Sequence, residues 1–271
     1  MKTRTYGPAV WCACLAMMLL GTSPASAGAQ TNERLSDNDV RKIIEDLNQS
    51  RDRFEDQLDG DLKRSIIRAP TGELSVERYL DDLQENVKNL KDRFSSEYAA
   101  SKEAHTVLRQ GSEIANFFKK QTKVIRGQSE FDRMSVDLGR LSTAYGTTFP
   151  LPDLEAPVRR INDDETATAA NELARQVDQV KRELDREKTL PAPAKDAAKK
   201  DLDQLKRTAN TVKDRAGDGK PASAEAKQLV DMCGKIGSFI QGQTGLAPTT
   251  LSAWGAMAAP LDKLKQAYGL R

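Results

Sequence analysis

The sequence is poor in the residues that build disulfide frameworks and metal or nucleophilic catalytic sites. Its 271 residues include three cysteines, one histidine and only 5% aromatic residues. The single histidine, His105, cannot form a histidine-based zinc site, and a Ser-His-Asp or Cys-His arrangement would have to use His105 itself. Cys12 and Cys14 lie in an N-terminal apolar run, so a processed chain keeps only Cys233 and cannot form an internal disulfide.

The sequence also lacks an excess of charge of either sign. It contains 42 basic and 40 acidic residues, and two of the basic ones, Lys2 and Arg4, belong to the N-terminal segment. A nearly neutral chain has no overall attraction for nucleic acid, so no nucleic-acid partner is predicted. No segment after the N-terminal run is apolar enough to cross a bilayer, so we predict no integral membrane segment in the mature chain.

Residues 1–27 have the pattern of a cleaved secretory signal peptide. Lys2 and Arg4 form a basic start, residues 9–20 form a short apolar run, and Ala25-Ser26-Ala27 is a small-residue cleavage site. The run is short for a bilayer-spanning helix, which makes an uncleaved membrane anchor the weaker alternative. We therefore expect an exported protein, periplasmic or extracellular, whose mature chain begins near Gly28.

What the chain does contain is an internal repeat. A shift of 122 positions aligns residues 80–124 with residues 202–246 without a gap, and 14 of the 45 aligned pairs are identical. After one inserted residue the match resumes, and it pairs Met134, Leu138, Leu141, Ala144, Tyr145 and Gly146 with Met257, Leu261, Leu264, Ala267, Tyr268 and Gly269. Apolar residues recur three and four positions apart in both copies, which indicates amphipathic helices.

This pattern predicts an all-α fold, with no strands, that consists of two up-and-down four-helix bundles in tandem after the signal peptide. Residues 28–146 would form the first bundle and residues 163–271 the second. Residues 147–162 would link them, because they contain three prolines and no helical stripe. The length of the mature chain suits two domains of roughly 120 residues each.

Local signals predict where several helices begin and end. Asp37 or Asp39 is expected to cap the first helix, which should end before Pro70. The other predicted features are a turn at Ser95-Ser96, N-caps at Ser101, Ser129 and Ser223, left-handed C-terminal residues at Gly146 and Gly269, and a kinked or broken helix at Pro260.

Charged residues offer two candidate binding features. Asp-Arg dipeptides recur, beginning at Asp52, Asp92, Asp132, Asp185 and Asp214. They could form a guanidinium site for a carboxylate or phosphate, but structural ion pairs between helices are the favoured interpretation. A basic cluster at the end of the third helix contains Lys119, Lys120, Lys123 and Arg126. It could bind phosphate or an acidic surface, although cations at a helix C-terminus also have a plain electrostatic explanation.

The remaining candidates have structural interpretations. Tyr145 and Tyr268 should pack their rings on the core and direct their hydroxyls to solvent or a backbone carbonyl. Cys233 aligns with Gly111 and fits a close helix crossing, with an intermolecular disulfide as the lesser alternative. His105 aligns with Lys227 and is expected on an exposed face.

Paired acids are frequent in this sequence, and we expect them on solvated faces rather than in an acid–base site. The examples are Glu45-Asp46, Asp81-Asp82 and Asp163-Asp164. The sequence therefore predicts no catalytic residue, no cofactor and no metal ligand.

Three segments carry a resemblance to known sequences. They are Asp52-Arg53-Phe54 with Leu58 and Leu62, Leu90 with Arg93-Phe94, and Phe131 with Leu138, Leu141, Ala144 and Tyr145. The pattern resembles a repeated all-helical domain of unknown function in uncharacterised secreted bacterial proteins. It covers most of the first copy and, more loosely, the second, where Trp254 replaces Phe131. The resemblance implies an exported bacterial helical protein and assigns no activity or ligand.

These observations favour a non-enzymatic interaction or structural protein of the bacterial cell envelope, with a scaffold or chaperone-like role and a protein partner in the envelope. The alternative is a carrier that holds a small apolar or lipid-like ligand in a helical-bundle pocket, because bundle cores can host such sites. A hydrolase that uses carboxylates is the least favoured hypothesis.

Overall fold

The computed structural model describes residues 34–69 and 72–270. Helices dominate these residues, which confirms the predicted helical class. The predicted signal peptide, residues 1–27, lies outside the described residues. Within the described residues, no helix combines the length and apolar character that crossing a membrane requires.

The described residues of the first half form five helices and a short hairpin. Its elements are α1 (Asp37–Gln57), α2 (Gly60–Lys63), β1 (Ile66–Ala69), β2 (Gly72–Ser75), α3 (Val76–Arg93), α4 (Ser101–Lys119) and α5 (Gln128–Ala144). The four long helices form a closed circuit, in which α1 contacts α3 and α5 while α4 contacts α3 and α5. The predicted turn at Ser95-Ser96 is confirmed, since it lies between α3 and α4.

The hairpin corrects the expectation that the chain has no strands. The first long helix ends at Gln57 rather than just before Pro70, and Leu58 has extended backbone angles. Asp59 then caps α2, because its side chain accepts hydrogen bonds from the backbone of Asp61 and Leu62. Strands β1 and β2 pair antiparallel, with Ile67 opposite Leu74. The β-branched pair Ile66-Ile67 suits a strand better than a helix.

The second half repeats the circuit of long helices without a hairpin. Its elements are α6 (Asp163–Arg186), α7 (Ala192–Gly217), α8 (Ser223–Gly242), α9 (Pro248–Gly255) and α10 (Ala258–Tyr268). Helix α6 contacts α7 and α10, and α8 contacts the same two helices. The break predicted near Pro260 is confirmed, because one helix of the first half corresponds to α9 and α10 here. Pro260 occupies the first turn of α10, where its missing N–H costs nothing.

The buried hydrophobic residues form two separate clusters. The first draws on the long helices of residues 37–144 and also includes Leu151 and Val158. The second runs from Ala169 to Tyr268 and is richer in alanine. Large side chains such as Phe54 fill the first cluster, whereas smaller ones such as Val180 occupy corresponding places in the second. Smaller side chains allow helices to approach more closely.

Several predicted caps are wrong in detail. Ser36, not Asp37 or Asp39, caps α1, and Asp39 completes a capping box by accepting from the Ser36 backbone N–H. The caps of α4, α5 and α8 are Ala100, Gly127 and Ala222, so the predicted caps Ser101, Ser129 and Ser223 lie one or two residues inside their helices.

The two predicted C-terminal glycines are correct. Gly146 has φ of 69° and Gly269 has φ of 62°, which is the left-handed region where glycine carries no Cβ penalty.

Residues 147–162 contain no helix or strand, and they pack against the first half of the chain. The Leu151 backbone N–H donates to Ser112 Oγ at 2.9 Å. His105 Nε2 lies 2.9 Å from the Leu154 carbonyl oxygen, a contact that helps to hold the segment in place. His105 is half-buried, so the exposed position expected for it is wrong. The segment is therefore a packed connection, since polar and apolar contacts both fix its course.

Candidate functional sites

An apolar cavity of about 210 Å³ opens between the hairpin and helices α1, α3 and α4. Most of its wall consists of aliphatic and aromatic side chains. The principal ones are Phe54, Leu58, Ile67, Leu74, Leu80, Ile114, Phe117 and Phe118. Concave apolar surfaces with a few polar groups are the usual form of small-molecule sites. The cavity is therefore the best candidate binding site among the described residues.

Packed aromatic rings form one wall of the cavity. Phe54 meets Phe118 and Phe131 edge to face, with ring centroids 6.1 and 5.6 Å apart. Phe118 and Phe131 stack at 5.2 Å. Edge-to-face pairs add to the stability that area burial alone provides, so this wall should keep its shape.

A polar pair, Tyr79 and Glu113, also lines the cavity. The Tyr79 hydroxyl donates to Glu113 Oε2 at 2.6 Å and approaches the Gln110 carbonyl oxygen at 3.1 Å. Burial, together with the hydrogen bond to Glu113, raises the pKa of Tyr79 above its ordinary range. The hydroxyl therefore stays protonated and satisfies the one carboxylate that lines the cavity.

The hairpin that covers the cavity has no counterpart in the second half. Residues 187–191 connect α6 with α7, and they contain no strand. Ile67 and Leu74 face each other across the hairpin and both line the cavity. Ile66 points the other way and is 61% exposed, as the period-two alternation of a strand requires. The hairpin side of the cavity is thus formed by residues that lie outside the aligned segments of the two halves.

The basic cluster lies at the same end of the first half as the cavity. Lys119, Lys120, Lys123 and Arg126 are all exposed, and among the described residues none of them forms an ion pair. Between them lies Val124, whose side chain is 90% exposed. The cluster is therefore exposed, and its cations are free to meet a ligand.

A second site joins the two halves through buried arginine–aspartate pairs. The Arg160 side chain is 3% exposed, and its guanidinium donates to Asp37 Oδ1 from Nε at 3.2 Å and from Nη2 at 2.7 Å. Arg34 forms the equivalent ion pair with Asp163. Each arginine also donates to a backbone carbonyl beside the other, Arg160 to Leu35 and Arg34 to Ile161.

The two aspartates of this junction cap each other's helices. The Asp37 backbone N–H donates to Asp163 Oδ2 at 2.8 Å, and the Asp163 backbone N–H donates to Asp37 Oδ2 at 2.9 Å. The N-termini of α1 and α6 therefore each receive a carboxylate from the other helix, which suits both helix dipoles. The junction is a reciprocal arrangement that fixes the first half against the second.

A four-residue motif produces this symmetry, and it was not recognised in the sequence. Residues 34–37 read Arg-Leu-Ser-Asp and residues 160–163 read Arg-Ile-Asn-Asp. The shift between them is 126 positions rather than 122, because the connections after α1 and α6 differ in length. Ser101 and Ser223, which were expected to be N-caps, also take part in the junction. Ser101 Oγ accepts a hydrogen bond from the Arg160 backbone N–H, and Ser223 Oγ accepts one from the Arg34 backbone N–H.

The Asp-Arg dipeptides mostly serve as structural ion pairs. Arg93 pairs with Glu103 across α3 and α4, and the matched Arg215 pairs with Glu225 across α7 and α8. Both copies therefore retain these arginines together with their glutamate partners. Arg133 and Arg186 pair within their own helices. Arg51, which directly precedes the first dipeptide, is buried and forms ion pairs with Asp52 and Glu55.

The matched tyrosines bury their rings as predicted. The Tyr145 hydroxyl donates to the Ala99 carbonyl at 2.6 Å, which confirms the expected backbone partner. The Tyr268 ring lies 5.7 Å from Arg34 Cζ, a cation–π distance that ties this tyrosine to the junction. Burial raises the pKa of Tyr268 to about 12.

The matched positions Cys233 and Gly111 both lie in the core, as predicted. A Cβ on Gly111 would lie 2.7 Å from Leu138 Cδ1, so the helix crossing there requires glycine. Cys233 is free and buried, and burial raises the pKa of its thiol to about 12 despite Lys265. A thiol in that environment is unreactive, which disfavours an intermolecular disulfide.

Within the described residues, no cluster of three or more histidine, cysteine or acidic side chains could hold a metal ion. Asp81, Asp82 and Asp164 are exposed, as expected for solvated acids. Asp163 is an exception, because it is buried in the junction. Glu187 is another buried acid, and it accepts hydrogen bonds from Thr250 Oγ1 and the Ala247 backbone N–H at the start of α9.

Comparison of the chain with protein-family models, with curated proteins and with solved structures gives no match. The geometry of the cavity, the basic cluster and the junction therefore carries the functional argument.

Proposed function

We propose that this chain is an exported, non-enzymatic binding protein that holds a small apolar or lipid-like ligand in the cavity of its first half. The single observation that supports this most directly is the apolar cavity beneath the hairpin. A folded domain gains stability by filling its core, so an open apolar space beside a well-packed aromatic wall favours a ligand as its occupant.

The volume of the cavity limits the size of the bound group. Drug-sized ligands occupy pockets of roughly 300–1,000 Å³, and an engineered apolar cavity of about 150 Å³ binds benzene in another protein. A cavity of about 210 Å³ therefore suits one ring or a segment of a single acyl chain. The open side beside the hairpin lets the rest of a longer ligand extend out of the cavity.

We also propose that the chain is a tandem repeat of two four-helix bundles, over residues 28–146 and 163–271, with residues 147–162 as the connection. Two separate buried clusters and the same circuit of helix contacts in both halves support this. So do the ion pairs Arg93–Glu103 and Arg215–Glu225, which occupy equivalent places. The second bundle, with smaller core residues, would act as a rigid support.

The proposed location is the periplasm or the extracellular space of a bacterium. It rests on the signal-peptide pattern of residues 1–27 and on the resemblance to secreted bacterial helical proteins. The mature chain would contain Cys233 as its only cysteine, so its stability would depend on packing rather than on disulfides.

A scaffold or chaperone-like role in the cell envelope is the second candidate. The junction favours it, because the reciprocal pairs Arg34–Asp163 and Arg160–Asp37 fix the orientation of the two halves. A fixed spacing between two helical surfaces is useful for positioning a protein partner. This role and ligand binding differ in what they require of the cavity, so one experiment distinguishes them.

The test is native mass spectrometry of the full-length protein purified from the organism that makes it. We expect a retained apolar or lipid-like mass that disappears in the variant Ile67→Trp, because the larger indole fills the cavity from the hairpin. Ile66→Trp is the matched control: it is adjacent in the same strand, faces solvent and should leave the retained mass in place.

One result would contradict ligand binding, and another would show that the Trp variants do not act on the cavity selectively. A clean apo mass for the wild-type protein, followed by no uptake of added decanoate, would favour the scaffold role. Loss of the retained mass in both Trp variants would indicate that the hairpin, and not the cavity, was disturbed.

A further inference from the structure

The four free cations lie at the end of α4 and in the loop after it, outside the lining of the cavity. Lys119 and Lys120 directly follow Phe117 and Phe118, which line the cavity at the end of α4. The Lys120 backbone N–H donates to the Phe117 carbonyl at 3.1 Å, so the chain turns immediately after the cavity wall. The cations therefore begin where the apolar surface of α4 ends.

The loop that carries the other two cations passes close to Leu58, which lines the cavity. The Asp59 backbone N–H donates to the Arg126 carbonyl at 3.3 Å. Gly127 lies so close to the chain that a Cβ there would be 2.9 Å from Leu58 Cα. Leu58 lines the cavity, so residues 120–127 form a basic rim against the turn between α1 and α2.

Several other charged residues near this end are already paired. Lys63 pairs with Glu55, Arg64 with Asp61, and Arg133 with Glu130. The carboxylate within the cavity, Glu113, is held by Tyr79 one helical turn before Phe117. An anionic group at that inner position would be repelled by Glu113, whereas at the rim it would meet free cations.

We propose that the ligand is an anionic amphiphile with a single chain, whose apolar tail enters the cavity and whose carboxylate or phosphate head lies on the basic rim of Lys119, Lys120, Lys123 and Arg126. This inference rests on the proposed function, because it assigns the chemistry of the ligand for the same cavity. The exposed Val124 within the rim would contact the part of the chain that leaves the cavity.

The second half provides an internal comparison. It has no hairpin, and the residues that match Lys119, Lys120 and Lys123 are Gln241, Gly242 and Gly245. The apolar cover and the basic rim are therefore both present in one copy and both missing from the other. Two features that occur together in this way fit one ligand with an apolar part and an acidic part.

The experiment is isothermal titration calorimetry of the full-length protein at pH 8 with decanoate, decyl phosphate and decan-1-ol, each below its aggregation concentration. The test variant changes Lys119, Lys120, Lys123 and Arg126 to Gln. The control variant changes Lys188, Lys200, Lys227 and Lys235 to Gln, which removes the same charge from exposed residues of the second half. Decylamine and inorganic phosphate complete the set of probes.

We expect decanoate and decyl phosphate to bind the wild-type protein more tightly than decan-1-ol. Each exposed ion pair contributes modestly, so the rim variant should lose on the order of tenfold in affinity for both anions and little for the alcohol. The control variant should resemble the wild type. Higher salt should weaken binding of the two anions and leave binding of the alcohol unchanged.

Several outcomes would overturn the inference and leave the proposed function intact. They are equal affinity for decan-1-ol and decanoate, tighter binding of decylamine, or a rim variant indistinguishable from the control. Inorganic phosphate that binds the rim as tightly as decyl phosphate would show that the tail contributes nothing. If none of the decyl compounds binds, the proposed function itself fails, which distinguishes the two failures.

Discussion

Removing the Arg160 guanidinium is expected to destabilise the protein strongly, because this group is buried and fully engaged at the junction. The variant Arg160→Met keeps most of the apolar stem and removes the charge. Asp37 then loses two hydrogen bonds to Arg160 and retains the Asp163 backbone N–H. Breaking one partner from a buried ion pair costs about 3–5 kcal/mol, against a total stability of about 5–15 kcal/mol.

The assay is urea unfolding, followed by circular dichroism for all helices and by Trp254 fluorescence for the second half. With a urea dependence of about 2–3 kcal/mol per molar, the expected loss moves the midpoint down by about 1–2 M. Arg133→Met is the matched control, because Arg133 is 69% exposed and pairs with Glu130 on the same helix. It should cost less than about 1 kcal/mol.

A double-mutant cycle separates the pair from its parts. The double variant Arg160→Met with Asp37→Asn should lose less unfolding free energy than the sum of the two single variants. The reason is that each single variant leaves one buried charge unpaired, whereas the double variant removes both charges. A loss for Arg160→Met within about 1 kcal/mol of the Arg133 control would refute the argument that the junction holds the two halves together.

Three further predictions concern stability and reactivity. Hydrogen bonds from Thr250 and the Ala247 backbone lower the pKa of Glu187 below its ordinary 4.5. The ionised Glu187 side chain therefore stabilises the fold above that pH, and this stabilisation is lost as the pH falls through the folded pKa. In urea unfolding, Glu187→Gln should destabilise the protein at pH 7 and much less at pH 3. Cys233 should react with a thiol reagent at pH 8 at the rate of unfolding only, and fast labelling of native protein would contradict its burial. Gly127→Ala should cost about 1–3 kcal/mol of unfolding free energy because φ is 97°, whereas Gly139→Ala, in open helix, should gain about 0.5–1 kcal/mol.

The helices could be predicted from the sequence because the repeat supplies two versions of each apolar stripe. The turn after Arg93 is invisible in the first copy, and it was found because the second copy has glycine and proline there. The break in the last helix was likewise indicated by Pro260. In both places the physical signal is local, so a single segment of sequence contains it.

The junction and the cavity could not be predicted because their signals are not local. Arg34 and Arg160 each complete a site whose other members lie on distant elements, and the 126-residue shift separates them from the rest of the alignment. The hairpin lies where the alignment fails, so the comparison between copies did not constrain it. Ser101 and Ser223 were noticed as a matched pair, but their partners are backbone N–H groups that the sequence does not connect to them.

The most direct test of ligand binding in the first half is a methyl NMR titration of the full-length protein with decanoate. We expect saturable shifts in the methyl groups of Ile67, Leu74, Leu80 and Ile114, which line the cavity. The methyl groups of the second core, such as Leu202 and Ile236, should stay unmoved. Shifts that occur in both cores alike, or none in the four cavity residues at saturating decanoate, would contradict the account.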